Sequence, residues 1–222
     1  MTATIETHEI EAPYVLATDG DLLVVYKPGG WMTHGAGGDA SPTLTDWLGS
    51  EACLGDAAPI HRLDKPVSGL ILFSADPELR AKVGQLFVHR ETQKLYRALV
   101  HGRARRKGVL RRPLKDARRG SSVEAVTRYK LLEWIGPHSL LDVRPETGRK
   151  HQIRRHLHGV GHAVVGDQRY RKSKSSAPLP GGGIWLHAFR LELPDGRAWE
   201  APVSPILEEY VAALRCRYAE DG

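Results

Sequence analysis

One carboxylate, Asp64, stands between Arg62 and Lys65 in the stretch HRLDKPVSGLILFS (residues 61–74), immediately ahead of an apolar run. An acid held beside cations and next to a buried strand can attack as a nucleophile or take up a proton at a site closed to water. The plain alternative is a turn, since Asp side chains bond nearby backbone N–H groups and Lys65-Pro66 follows. Other residues have to decide between these readings.

The second cluster is PETGRKHQIRRHLHGVGHAVVGD, residues 145–167. Thr147 is suited to cap a helix that begins near Arg149 and stops at Gly159, with Ile153 and Leu157 on its apolar face. Arg149, Lys150, Arg154 and Arg155 put four cations within about two turns. Arg154 follows Ile153 by one residue, about 100° round the helix, so it sits beside the buried stripe. A half-buried Arg requires an anion, and Asp64 is the obvious partner.

Histidines 151, 156, 158 and 162 have spacings that could ligate zinc. No acid intervenes before Asp167, no Cys is near, and the surrounding cations repel a metal ion, so hydrogen-bonding or phosphate-binding histidines are preferred. There is no G-x-S-x-G elbow, P-loop or G-x-G-x-x-G. Tyr96 lies in QKLYRALVHG, where period-2 alternation sets it on one face with Ala98 and Val100. A tyrosine among aliphatics reads first as core; its alternative is a ring that stacks on a base, with a hydroxyl that transfers protons.

The elements that must carry these groups are mostly strands. Apolar, β-branched runs at 14–18, 22–26, 69–74, 94–100, 123–134, 139–145 and 184–193 predict them. Helices are expected after Asp76-Pro77, after Ser204-Pro205 and, in a short piece ending near Gly49, after Ser41-Pro42. Without regular βαβ alternation, this order predicts an α+β domain around a mixed, mainly antiparallel sheet. Residues 101–120 and 171–183 read as mobile loops, and glycines 181–183 as flexible.

At 222 residues, 41% hydrophobic and 26% charged, the chain suits an ordinary globular protein with a real core. It has no apolar run of the roughly 18 residues that span a membrane and no basic, apolar leader. Two cysteines, Cys53 and Cys216, form no disulfide framework and no thiolate zinc site, so a cytoplasmic setting is expected. The net charge is +6, and residues 101–120 alone hold nine Lys/Arg and one Asp, or +8, leaving −2 for the rest. That concentration favours a phosphate-rich partner over a merely solvated face.

HRLDKPVSGLILFS followed by TGRKHQIRRHL resembles the RluA family of RNA pseudouridine synthases, VVYKPGGWMTHG (24–35) resembles that family's first motif, and LHA (186–188) its late strand. Within the family the two long motifs look nearest to the TruC branch, which modifies tRNA. The resemblance implies a catalytic domain with a central mixed sheet and an RNA cleft, working without metal or organic cofactor. It implies Asp64 as the catalytic carboxylate, Tyr96 against the target base and as a proton-transfer group, Arg154 paired with Asp64, and Arg62 near the space that a flipped nucleotide vacates. Further RNA contacts are expected from Lys27 in the first motif, from Arg105, Arg106, Arg111 and Arg112, and from Arg149, Lys150 and His151. Many relatives have Thr where this chain has Val67. A single catalytic domain over residues 1–222 is expected, with about the first thirteen residues flexible, no separate S4 domain, and a monomer as the working unit. A non-catalytic RNA-binding or RNA-folding protein, an N-glycosidase and a zinc nuclease are the competing readings.

Overall fold

A computed structural model describes residues 11–35, 40–50, 54–116, 120–171 and 179–219. The sequence folds as β1 (Tyr14–Asp19), β2 (Leu22–Lys27), α1 (Leu44–Ser50), β3 (Ala58–Pro59), β4 (Ser68–Ser74), α2 (Pro77–Val88), β5 (Gln93–His101), β6 (Lys107–Leu110), β7 (Leu114–Lys115) and β8 (Ser122–Val123). It continues with β9 (Thr127–Ile135), β10 (His138–Pro145), α3 (Gln152–Gly159), β11 (Leu186–Glu192), β12 (Ala198–Glu200) and α4 (Pro205–Tyr218). The result is the expected α+β architecture. A large sheet runs β1-β2-β4-β11-β5-β10-β9-β6, with β12 beside β11, β3 beside β4, and a separate β7-β8 hairpin.

Named strands pair antiparallel except β4 with β11, which are parallel through His187↔Ser68 and Ala188↔Gly69. Gly69 makes that join possible. Its φ is +116°, and a Cβ there would lie 2.3 Å from the Ala188 carbonyl oxygen. Every residue of β4 is buried. Alternation sends Ile71 and Phe73 into a core shared with α1 and α3, while Leu70 and Leu72 join Val83 of α2 on the other face. A strand covered on both faces reads as a continuous apolar run, which is what LILF is.

Helix α2 starts as expected, with the Asp76 carboxylate accepting the Glu78 N–H at 2.8 Å and Pro77 in the first turn. Helix α4 packs Leu207, Val211 and Leu214 against Leu99 and Ile135. No helix among the described residues is long and apolar enough to cross a membrane.

Several sequence expectations change. The run 123–134 is broken: β8 ends at Val123, and β9 begins only at Thr127 after the buried Ala125 and Val126. Helix α3 begins at Gln152, not near Arg149, and Thr147 does not cap it. The Thr147 hydroxyl instead accepts the Val126 N–H at 3.0 Å and donates to Gln152 Oε1 at 2.6 Å, bracing the chain between strand and helix. Segment 101–120 is partly ordered into β6 and β7, because β6 pairs with β9 from Lys107↔Lys130 to Leu110↔Thr127; residues 117–119 lie outside the described residues. Gly181–Gly183 do not hang free: a Cβ on Gly30 would strike the Gly181 carbonyl oxygen at 2.4 Å, so the two glycine pieces pack backbone to backbone. Residues 172–178 and 1–10 are outside the described residues, and Glu11 accepts the Tyr26 hydroxyl at 3.0 Å.

Candidate active site

Three pieces of the chain meet at Asp64: its own turn, the start of α3, and β5. The Asp64 carbonyl accepts the Val67 N–H at 3.0 Å, closing a turn that delivers the chain into β4. The backbone therefore does make the turn suggested by Lys65-Pro66, while the carboxylate is left over for other partners. Arg154 on α3 donates from Nη1 to Asp64 Oδ2 at 3.3 Å, joining residues 90 positions apart. His151 approaches the other oxygen, with Nε2 3.7 Å from Oδ1. Tyr96, near the start of β5 and in register with Val143 and Ala188, comes to the same cleft.

The cleft is about 530 Å³ in volume. Among the described residues its lining holds five Lys/Arg (Arg62, Arg90, Lys94, Arg149 and Arg154) and one carboxylate, Asp64. Leu63, Val67 and Leu186 supply apolar wall near the acid. A single acid in a basic cleft suits a polyanionic substrate whose reaction needs one carboxylate.

Arg154 is 5% exposed and has a second, stronger anchor that the motif alone did not suggest. Its Nε and Nη2 donate to the two oxygens of Asp167 at 2.7 and 3.0 Å, a bidentate pair. Asp167 also accepts the backbone N–H groups of Arg169 (2.9 Å) and Tyr170 (3.0 Å). Burial acts to raise the Asp167 pKa, but the Arg154 guanidinium and these N–H groups outweigh it and hold the carboxyl below its ordinary range. Arg154 is thus gripped by Asp167 and extends its remaining nitrogen, Nη1, to Asp64. The available signal was Asp167 itself, an acid directly after the buried run Ala163–Val165.

Burial, and then the charge of Asp64, push the Tyr96 hydroxyl far above its ordinary pKa. It is a protonated donor beside an acid. His61 is a neutral spacer: its ring stacks on Phe87 at 4.4 Å, and its Nε2 accepts the Leu72 N–H at 3.1 Å. Burial first, and Lys94 second, push its pKa down to about 3. Tied to β4 in this way, His61 sets the neighbouring Arg62 at the exposed rim of the cleft.

Lys27 corrects the sequence reading. It is 0% exposed, so it cannot touch a phosphate. Its Nζ donates to the carbonyls of Pro28 (2.8 Å), Trp31 (2.8 Å) and Lys65 (3.0 Å), three acceptors for the three N–H bonds of an ammonium. Burial pushes its pKa down to about 7, against the opposing pull of Asp64. Lys27 binds the first motif to the residue after the acid, and Gly30 N–H to Lys65 O (2.9 Å) repeats the link.

Among the described residues of the basic segment, the arginines lie on either side of β6. Arg105 and Arg106 lie before β6, where Arg106 sits over the Trp134 ring (5.7 Å to its centroid). Arg111 and Arg112 lie after β6 beside α3, where the Arg112 carbonyl pairs with His156 Nε2 at 2.9 Å. Arg149 lines the cleft and donates from Nε to the Glu124 carbonyl at 3.1 Å, and Lys150 is exposed next to it. The histidines take separate partners: His156 Nδ1 pairs with Thr127 Oγ1 (2.9 Å), His162 Nδ1 with the His101 carbonyl (3.0 Å). Among the described residues no three His, Cys, Asp or Glu side chains gather as a metal site.

An α+β sheet domain with a basic cleft around one acid suits a polyanionic partner, and comparison with known proteins narrows the class. The family described as RNA pseudouridylate synthase matches residues 21–159. The chain belongs to this family, the RluA group of RNA pseudouridine synthases. A protein of Chloroflexus aurantiacus named an uncharacterized RNA pseudouridine synthase is 35% identical over 206 residues, 85% of this chain and 64% of that one. The tRNA pseudouridine synthase C of Vibrio parahaemolyticus is 32% identical over 193 residues, 75% of each chain. Ribosomal large subunit pseudouridine synthase D of Zymomonas mobilis is also 32% identical, over 73% of this chain and 57% of its own length. The solved structure of human RNA pseudouridylate synthase domain containing 4 superposes with a TM-score of 0.76 at 25% identity, over 90% of this chain and 92% of that one. The chain spans less than two thirds of the length of the Chloroflexus and Zymomonas relatives.

Proposed function

We propose that this protein isomerises a specific uridine to pseudouridine in structured RNA, tRNA in preference to ribosomal RNA, with Asp64 as the catalytic carboxylate. The observation that carries the reading is the solitary acid of a cation-lined cleft, held by Arg154 and faced by Tyr96. The reaction breaks N1–C1′, turns the base, joins C5 to C1′ and releases the C5 hydrogen. A stacked uracil hides these atoms, so the nucleotide must leave its stack, and cations at the rim grip the backbone while it does. The exposure of Arg62 at the cleft and of Lys150 beside Arg149 supports this reading. Leu63, Val67 and Leu186 keep water from a cleaved sugar, where it would end the reaction in base loss.

Asp64 supplies either a nucleophile or a base for a sugar proton, and one carboxylate serves both routes. Tyr96 packs against the base and, as a protonated hydroxyl, donates to it; it accepts a proton only after passing its own on. The preference for tRNA rests on the two long motifs, which look nearest to the TruC branch, while relatives named for tRNA and for ribosomal RNA match at similar identity. Tritium release from RNA labelled at uridine C5 tests the whole reading. Wild type should release label from total tRNA and Asp64→Ala should not. Release from ribosomal RNA alone would overturn the substrate class. Release by Asp64→Ala would overturn the assignment of the acid.

A further inference from the structure

The Asp64 carboxylate has two oxygens, and they are served by different devices. Oδ2 faces Arg154. Oδ1 faces His151, which stands in the left-handed region at φ 53° and ψ 30° immediately before α3. Only one other described non-glycine residue, Arg90, has a positive φ. A backbone held in that sparse region costs of order 1 kcal/mol or more and persists where the surroundings require it. The surroundings here are specific. The Arg155 N–H bonds the His151 carbonyl at 2.9 Å, and the ring is fixed from behind by Tyr170, whose hydroxyl lies 3.0 Å from Nδ1 with the rings edge to face at 5.7 Å. Tyr170 is itself set by its N–H to Asp167 at 3.0 Å, the residue that grips Arg154. Both devices therefore share one foundation, Asp167.

From this geometry we infer that His151 is a positioning residue for the reaction, an imidazole that accepts a hydrogen bond from the Tyr170 hydroxyl at Nδ1 and presents Nε2–H to Asp64 Oδ1. The inference rests on the synthase reading above and adds to it a role in which His151 steers the acid instead of gripping phosphate. A carboxylate only accepts, so Nε2 must carry the hydrogen, and Nδ1 is then the acceptor that a hydroxyl can satisfy. The 3.7 Å separation is too long for a hydrogen bond in the open cleft. Catalytic hydrogen bonds of this kind shorten when substrate closes the site. With Arg154 already on one oxygen and His151 poised at the other, closure of the site fixes the plane of the carboxylate.

The charges around the ring agree. Burial lowers the His151 pKa first; Asp64 opposes this, while Arg154, Arg169 and Lys150 reinforce it. Asp64 reaches the ring from the turn before β4, Arg169 and Tyr170 from the segment after Asp167, and Lys150 and Arg154 from its own stretch of chain, while His158 packs on Tyr170. The imidazole is neutral at working pH and becomes a cation only in acid, where it would lock Asp64 into an ion pair.

The experiment compares wild type with His151→Asn, His151→Gly and Tyr170→Phe. Gly removes the backbone penalty at positive φ, so that variant should be as stable as wild type or more so. Its kcat should nonetheless fall roughly 10- to 100-fold, as a misplaced reacting group does, with RNA affinity unchanged. Asn tolerates the same backbone and keeps an N–H donor, so it should recover part of kcat and lose the acid limb of the wild-type pH profile. Tyr170→Phe should lower kcat by a smaller factor. Unchanged kcat, or weaker RNA binding with normal kcat, would overturn the inference in favour of a phosphate-gripping histidine. The ring is also followed by NMR through pH in wild type and Asp64→Asn. Loss of the facing charge should lower its midpoint, and an unmoved midpoint would overturn the pairing. That titration stands if wild type shows no turnover, an outcome that would instead count against the synthase reading.

Discussion

Arg154 and Arg106 are the same residue type placed in two regions that use charge in opposite ways. Arg154 is 5% exposed, clasped by two carboxylates, with its guanidinium 5.1 Å from the centre of the Tyr170 ring. Arg106 is exposed on the run into β6, where its backbone carbonyl accepts the Leu131 N–H and its side chain lies over Trp134. In the first region the guanidinium is held by one carboxylate and turned toward another, so charge serves to orient an acid. In the second the chain is held by its backbone and the side chains are left to solvent or to a partner. Counting cations along the sequence cannot tell these uses apart; only burial can.

The comparison is broken most sharply at Arg154. Arg154→Ala leaves Asp167 buried without its partner, and about 3–5 kcal/mol of stability should be lost in denaturant unfolding. The double variant Arg154→Met with Asp167→Leu should regain most of that stability and none of the activity. Equal loss in both would show that the pair itself, not the stranded acid, carries the energy.

Lys27→Met comes next. It strands three carbonyls in a dry place, and about 3 kcal/mol should be lost by the same measurement, together with activity. A variant that unfolds normally but is inactive would mean that Lys27 acts on Asp64 through charge alone.

Substitution of Arg105, Arg106, Arg111 and Arg112 by Gln should have the smallest effect on the fold, within about 0.5 kcal/mol per exposed site. RNA affinity should fall, and the salt dependence should flatten by about 0.9 in the logarithmic slope for each phosphate that is no longer neutralised. Because β6 separates the two pairs, Arg111 with Arg112, beside α3, should account for more of the change than Arg105 with Arg106. Equal shares would place RNA along the whole arm.

Much of this was legible from residue order. Strand β4 announced itself as an unbroken apolar run, α2 by Asp76-Pro77, and the Asp64–Arg154 pair by a helix position beside Ile153. What stayed hidden depended on distance in space without pattern in sequence. Lys27 looks like any motif lysine, because three backbone carbonyls leave no trace in side-chain order. Asp167 was visible only as an acid too far along to ligate a metal, although it holds the arginine that faces Asp64. His151 read as one more basic residue of a crowded helix start, since its left-handed backbone is set by the fold around Tyr170 and Asp167. The break between β8 and β9 was missed for a similar reason: Ala125 and Val126 continue the apolar pattern while the chain leaves the strand.

The parallel join of β4 and β11 sets an order in time for the making of this protein. Strand β11, residues 186–192, lies between β4 and β5, whose residues precede it by about a hundred positions. A chain growing from its N-terminus can pair β1, β2 and β4 early, and β5, β9 and β10 as a second unit, but no strand pairing joins them until Leu186–Glu192 has emerged. Asp64 belongs to the first unit; Tyr96, His151 and Arg154 belong to the second. The nascent protein therefore carries two open strand edges, each a place where unfinished chains can stick to one another. It acquires its assembled cleft only once β11 has emerged, so a ribosome stalled before β11 would hold a chain with every cleft residue named here except Leu186, and no site.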